Sequence, residues 1–218
     1  MKQLVLLCSL VASGTMMTQA QFIADQMSNK PFYTINPDIN GNPLIFKTWN
    51  NGTIRTARGV VYTNIKLNYD ATNNTLLFNI NDSMFRFAEP AKEFTIEADK
   101  PGLPARRFVA SEDVHDLLPR KFVQVLTEGQ VQLYKHYKKS LIEVSDYNSA
   151  GRKVVEEKIT YYAIKSGVLT PVALAKKPLQ DLLADRWKEV EAYMNQNGLS
   201  VKTEEGWVKA ISYYNSLF

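Results

Sequence analysis

The stretch VYTNIKLNYDATNNTLLFNI, residues 61–80, decides the fold class. Val61, Thr63, Ile65, Leu67 and Tyr69 alternate with Tyr62, Asn64, Lys66 and Asn68. A period of two is what a half-buried strand requires, because successive side chains point to opposite faces. Asp70-Ala71-Thr72-Asn73-Asn74 is made of residues that reverse a chain, and Leu76 to Ile80 returns as the second strand of a hairpin.

Further strands are expected downstream at Met84–Phe87, Glu93–Ala98 and Arg106–Ala110, separated by Pro90 and Lys100-Pro101-Gly102. Ser111 to Leu118 reads as one helical turn with Ser111 as its cap. Phe122–Thr127 and Val131–Val144 flank a turn at Glu128-Gly129, and Lys153–Ile164 follows the turn Tyr147–Gly151. Upstream, residues 21–43 are rich in Asn and Pro and read as an irregular lead-in with a short helical turn at Phe22–Met27. The body from 44 to 170 is therefore expected to be a twisted antiparallel meander of about 8 to 10 strands.

Near Thr170 the period changes. Pro178 suits a first helical turn, and Leu179, Leu182, Leu183, Trp187, Val190 and Met194 recur three and four apart, with a stop at Asn197-Gly198. Thr203 is placed to cap a last helix with Glu204 and Glu205 in its first turn and Trp207, Ala210, Ile211 and Tyr214 on one face. Two or three helices over 171–218, packed on the sheet, make the chain an α+β protein of one domain.

The first twenty residues carry the pattern of a cleavable signal peptide: Lys2, an apolar run from Leu4 to Ala12, and Thr18-Gln19-Ala20 before an expected mature start at Gln21. Nine apolar residues fall short of the roughly 20 needed to span a bilayer. The single cysteine, Cys8, would leave with this segment, so no disulfide, thiolate metal site or Cys nucleophile is available afterwards. The expected location is the periplasm or the outside of the cell, peripheral to the outer membrane, with no transmembrane segment in the mature chain. A composition of 45% hydrophobic and 22% charged residues is that of a globular protein. A net charge of +4, one less without Lys2, is too small to imply a nucleic-acid partner.

Motifs that carry chemistry are missing. There is no G-x-S-x-G elbow and no phosphate-binding glycine loop. The two histidines, His115 and His136, fall on different elements and read as surface residues, so no metal site is expected. Lys135, His136, Lys138 and Lys139, with Arg152 and Lys153 behind them, read as a solvated basic hairpin rather than an anion site. The aromatics Tyr134, Tyr137, Tyr147, Tyr161 and Tyr162 gather on the long strands. With Leu133 and Trp187, Tyr134, Tyr137, Tyr161 and Tyr162 are the candidate lining of an apolar ligand site between sheet and helices, although strand packing accounts for the same residues.

Two stretches, FVQVLTEGQVQLY at 122–134 and the closing run from Lys176 through Trp187 and Asn197-Gly198-Leu199 to Tyr213-Tyr214-Asn215-Ser216-Leu217, together with the hairpin Gly59–Phe78, resemble a family of exported proteins of Gram-negative bacteria. The resemblance implies a β-rich body followed by helices and supplies no catalytic residues. The expected role is that of a non-enzymatic envelope protein that binds an apolar ligand or an envelope partner, without a cofactor. A hydrolase acting on an envelope polymer, with His115 beside Glu112, Asp113 and Asp116, is the rival reading. A structural or adhesive surface component is the third.

Overall fold

The computed structural model of the chain describes residues 16–17, 33–35, 39–98, 102–116, 118, 121–144 and 152–218. Its strands are β1 (Met16–Met17), β2 (Ile39–Asn40), β3 (Asn50–Thr56), β4 (Val61–Asp70), β5 (Thr75–Ile80), β6 (Ser83–Arg86), β7 (Ala91–Ile96), β8 (Arg106–Ala110), β9 (Phe122–Thr127), β10 (Val131–Val144), β11 (Arg152–Lys165) and β12 (Val168–Val172). The helices are α1 (Lys176–Leu182), α2 (Trp187–Gln196) and α3 (Glu204–Asn215). The remainder of the expected signal segment, the helical turn at Phe22–Met27 and the turn at Tyr147–Gly151 lie outside the described residues.

Ten strands form one antiparallel path in the order β12-β11-β10-β9-β8-β7-β3-β4-β5-β6, while β1 lies parallel to β4 and β2 parallel to β11. The α+β class and the C-terminal helices are thus as expected. The path is two meanders joined side by side, because β7 returns past β4 to β6 and pairs with β3.

The β4–β5 hairpin forms for the reason read from its residues. Asp70 Oδ1 accepts the backbone N–H groups of Thr72 at 2.8 Å and Asn73 at 3.0 Å, and Asn74 turns the chain with a φ of +52°. One detail differs: Tyr62 is buried in the core although simple alternation puts it on the polar face. Gly52 pairs with Ile65 and Ile54 with Tyr62, so β4 carries one residue more than its partner between these pairs. Asn64 sits there at a φ of +57°, and this bulge turns Tyr62 inward.

Strand alternation defines two faces, an inner one carrying Leu133, Lys135 and Tyr137 of β10 and an outer one carrying Tyr134, His136 and Lys138. Aromatic residues of the β3–β8 strands, including Phe78, Phe94 and Phe108, build one cluster of the inner core. The helices cover Val131, Leu133 and Ala163 and build the other.

The single helix expected from Pro178 to Met194 is broken. Lys165 Nζ takes the Leu182 carbonyl at 2.8 Å and Asp185 Oδ1 at 2.6 Å, and Tyr214 donates to Asp185 Oδ2 at 2.8 Å. Arg186 N–H donates to Leu183 O in place of Leu182, and Ala184–Arg186 becomes a 3-10 turn. Ser111 also differs. It lies inside the 3-10 turn Ser111–Asp113 rather than capping it, and its hydroxyl accepts Lys121 N–H at 2.9 Å.

Asn215, the last residue of α3, ties the helices to the sheet. Its Oδ1 accepts Val131 N–H at 2.8 Å, and its Nδ2 donates to the carbonyls of Glu128 at 2.9 Å and Val131 at 2.8 Å. Gly129 in that turn has a φ of +128°, and a Cβ there would stand 2.8 Å from Asn215 Nδ2. The turn at Glu128-Gly129 and the end of the last helix, far apart in the chain, therefore meet in space.

Candidate functional site

The six candidate residues do not share one surface. Leu133, Tyr137 and Tyr161 belong to the inner face, whereas Tyr134 and Tyr162, directly opposite one another in the ladder, belong to the outer face. Trp187 opens α2 and is half-buried against the helix-side core. Leu133 is wholly buried. The space between it and the helices is filled by buried side chains, among them Leu179, Leu183, Val190, Met194 and Trp207.

Tyr137 and Tyr161 are brought together around Lys135. Tyr161 donates to Glu204 Oε2 at 2.8 Å, Lys135 Nζ reaches the same oxygen at 2.8 Å, and the ammonium stands 4.9 Å from the Tyr137 ring centroid. Burial and the Glu204 carboxylate both push the Tyr161 phenol up. Because Glu204 is the first residue of α3, this cluster anchors the helix N-terminus to the sheet. Its groups are satisfied by one another, so it has the chemistry of a fastening.

The described residues also form open grooves, two of them beside the long strands. The outer groove, about 460 Å³, crosses β3, β7, β8, β9 and β10 and includes Tyr134, Gln132 and Val125. Its charges are mutually paired: Glu93 holds Arg55 at 2.9 Å and Arg107 at 2.9 Å, and Arg107 also reaches Glu128 at 2.9 Å. Burial alone would raise the Glu93 carboxyl, but the hydrogen bonds from Arg107 and Arg55 outweigh it and hold the group below the usual carboxylate range. Both arginines thus favour the charged form of Glu93.

The edge groove, about 510 Å³, lies between β12 and α1 and is lined by Val168, Pro171, Val172, Ala173, Pro178 and Leu182, with Lys165, Ser166, Thr170 and Asp181 at its borders. Neither the outer-groove ion pairs nor this groove was read from the sequence. The charges come from separate strands with no common spacing. Pro171 is the one usable signal, because a proline within a strand points to a sheet edge.

His136 and Lys139 are buried, at 4% and 8% exposure, and not the surface groups expected of a solvated hairpin. Lys139 Nζ donates to the carbonyls of Asn42 at 2.9 Å and Leu44 at 2.7 Å and lies 3.1 Å from Glu157, because the lead-in folds over this part of β10. Burial, then the charges of Lys121 and Lys138, push the His136 imidazole down to about 4. A histidine whose folded pKa is depressed binds its proton more readily when unfolded, so stability falls as pH drops from about 6.5 towards 4. The expected loss between pH 7 and pH 5 is about 2 kcal/mol, measured by denaturant titration, and His136→Gln should remove that slope. An unchanged slope in the variant would assign the dependence to another group.

His115 is half-buried, and its neighbour Asp113 turns to Lys92 at 4.0 Å. Among the described residues no group of three or more His, Cys, Asp or Glu side chains is placed to hold a metal ion. No described helix is long and apolar enough to cross a membrane. Comparison with known proteins finds no family model, no curated protein and no solved structure that matches the chain.

Proposed function

We propose that this chain is an exported, non-enzymatic binding protein of the cell envelope that holds an apolar ligand chain in the edge groove between β12 and α1. The observation that carries this reading is the groove itself. At about 510 Å³ it falls within the 300–1,000 Å³ of small-molecule sites, and its wall combines apolar side chains with a few polar groups at the border. Export is supported by the Lys2, Leu4–Ala12 and Ala20 pattern. A binding role is supported by polar clusters whose charges are engaged with one another, as around Glu93 and Lys135.

The test is titration with a fluorescent fatty acid such as parinaric acid. Val168 is 64% exposed at the groove wall, so Val168→Asp leaves the core intact while placing a charge where the alkyl chain would lie. Saturable binding by the parent and a loss of at least about tenfold in the variant are expected, equivalent to about 1.4 kcal/mol. Absence of binding, or equal binding by the variant, would refute the reading. Native mass spectrometry of protein purified from its exporting host should show a co-purifying apolar molecule.

A further inference from the structure

The β10–β11 hairpin extends well past the rest of the sheet. β9 pairs with β10 only at Leu133, Tyr134 and Lys135, whereas β10 and β11 stay paired as far as Val144 and Arg152. The outer half, His136–Val144 with Arg152–Thr160, is thus an arm beyond β9 and β12 to which only the short β2 is paired in the ladder. It is braced by β2 pairing with Lys153 and Val154 and by Lys139 donating to the Asn42 and Leu44 carbonyls.

Two features of this arm are out of keeping with a free surface. It carries three of the large apolar residues that the described chain leaves exposed: Leu141 at 41%, Ile142 at 39% and Ile159 at 41%. Leu141 and Ile159 belong to the inner face and Ile142 to the outer, so both sides of the ribbon are apolar.

Charge is distributed unequally between the faces. On the inner face Lys139 meets Glu157, and Glu143 stands opposite Lys153. On the outer face Lys138 stands directly opposite Lys158, Arg152 follows two ladder positions beyond Glu156, and three cations face that single carboxylate. Lys138 and Lys158 have no ion-pair partner among the described residues. Like charges directly opposite in a ladder are destabilising unless an external anion compensates them.

We infer that the arm is a membrane-docking device that lays its cationic outer face on an anionic lipid surface and inserts Ile142 of that face into the interface. Juxtamembrane cations and buried apolar side chains are the two contributions that hold peripheral proteins on anionic bilayers. The arm shares no residue with the edge groove. A carrier that fails to bind fatty acid could still dock, and a docking failure would leave ligand binding intact.

The experiment is co-sedimentation of the full chain, its N-terminus as processed in the exporting host and checked by mass spectrometry, with vesicles of 30% phosphatidylglycerol in phosphatidylcholine and with pure phosphatidylcholine. Preferential binding to the anionic vesicles is expected, falling as NaCl is raised towards 1 M, where screening shortens to about 3 Å. Lys138→Gln with Lys158→Gln should weaken binding about 25-fold, two cations at about fivefold each. Ile142→Ser should weaken it at every salt concentration. The double variant removes a repulsion, so it should melt no earlier than the parent. The salt series on the unaltered protein needs no variant at all. Equal binding to both vesicles, no binding at low salt, or indifference to the double variant would overturn the inference. Concentration-dependent self-association abolished by Ile142→Ser would also overturn it, reassigning the arm to a second copy of the chain.

Discussion

Trp207→Ala is expected to lower the free energy of unfolding by about 4 kcal/mol. Trp207 is wholly buried in α3, in the cluster that also contains Leu133, Leu183, Val190, Met194 and Ile211. Its removal deletes the transfer energy of an indole and leaves a cavity that rigid strands on one side cannot fill. The indole Nε1 also donates to Val201 O at 2.8 Å, so a carbonyl loses its partner. Trp207→Phe keeps most of the volume and should cost less than half as much. Denaturant unfolding measures both, and a loss below about 2 kcal/mol for the alanine variant would mean that the helices are not docked as described.

Gly206→Ala is expected to destabilise by about 3 kcal/mol, opposite in sign to helix propensity, which favours alanine over glycine by about 1 kcal/mol. Gly206 is the third residue of α3 and is buried. A Cβ there would stand 1.9 Å from Ser200 O and 2.8 Å from Ser200 C, both backbone atoms. Relief would require residues 200–203 to move. That would disrupt the cap, in which Thr203 Oγ1 accepts Gly206 N–H at 3.1 Å and donates to Ser200 O at 3.1 Å. A fall in melting temperature of about 10 °C is expected for a chain of this length. An unchanged or raised melting temperature would show that the Ser200–Thr203 loop yields freely.

The same residue illustrates what local sequence can convey. Thr203, Glu204 and the Trp207, Ala210, Ile211, Tyr214 stripe are legible because cap and face depend on spacings within one element. The reason for Gly206 is not legible, since it lies in the approach of a preceding loop. The β8 strand Arg106–Ala110 and the long β10–β11 pair are likewise readable from alternation and turn residues. The break at Leu183–Arg186 is not, because its cause is the Lys165 ammonium arriving from β11.

The candidate site follows the same division. Tyrosines on β10 and β11 are visible as a cluster in sequence, yet a one-residue step sends neighbours to opposite faces, and only the sheet shows which face the helices cover. Lys135, His136, Lys138 and Lys139 read as one basic run. In the fold, Lys135 pairs with Glu204, Lys139 is clamped by lead-in carbonyls, His136 is buried, and only Lys138 remains free for an outside charge.

By itself, then, the sequence determined the α+β class, the β4–β5 hairpin, the cap of α3 and the pattern of an exported chain, because each depends on contacts a few residues apart. Tertiary structure alone decided the pairing of β7 with β3, the split of the helix, the burial of His136 and Lys139, the edge groove and the projecting arm. Each of these depends on groups far apart in the chain, whose meeting is set by how the whole sheet twists and what covers each of its faces.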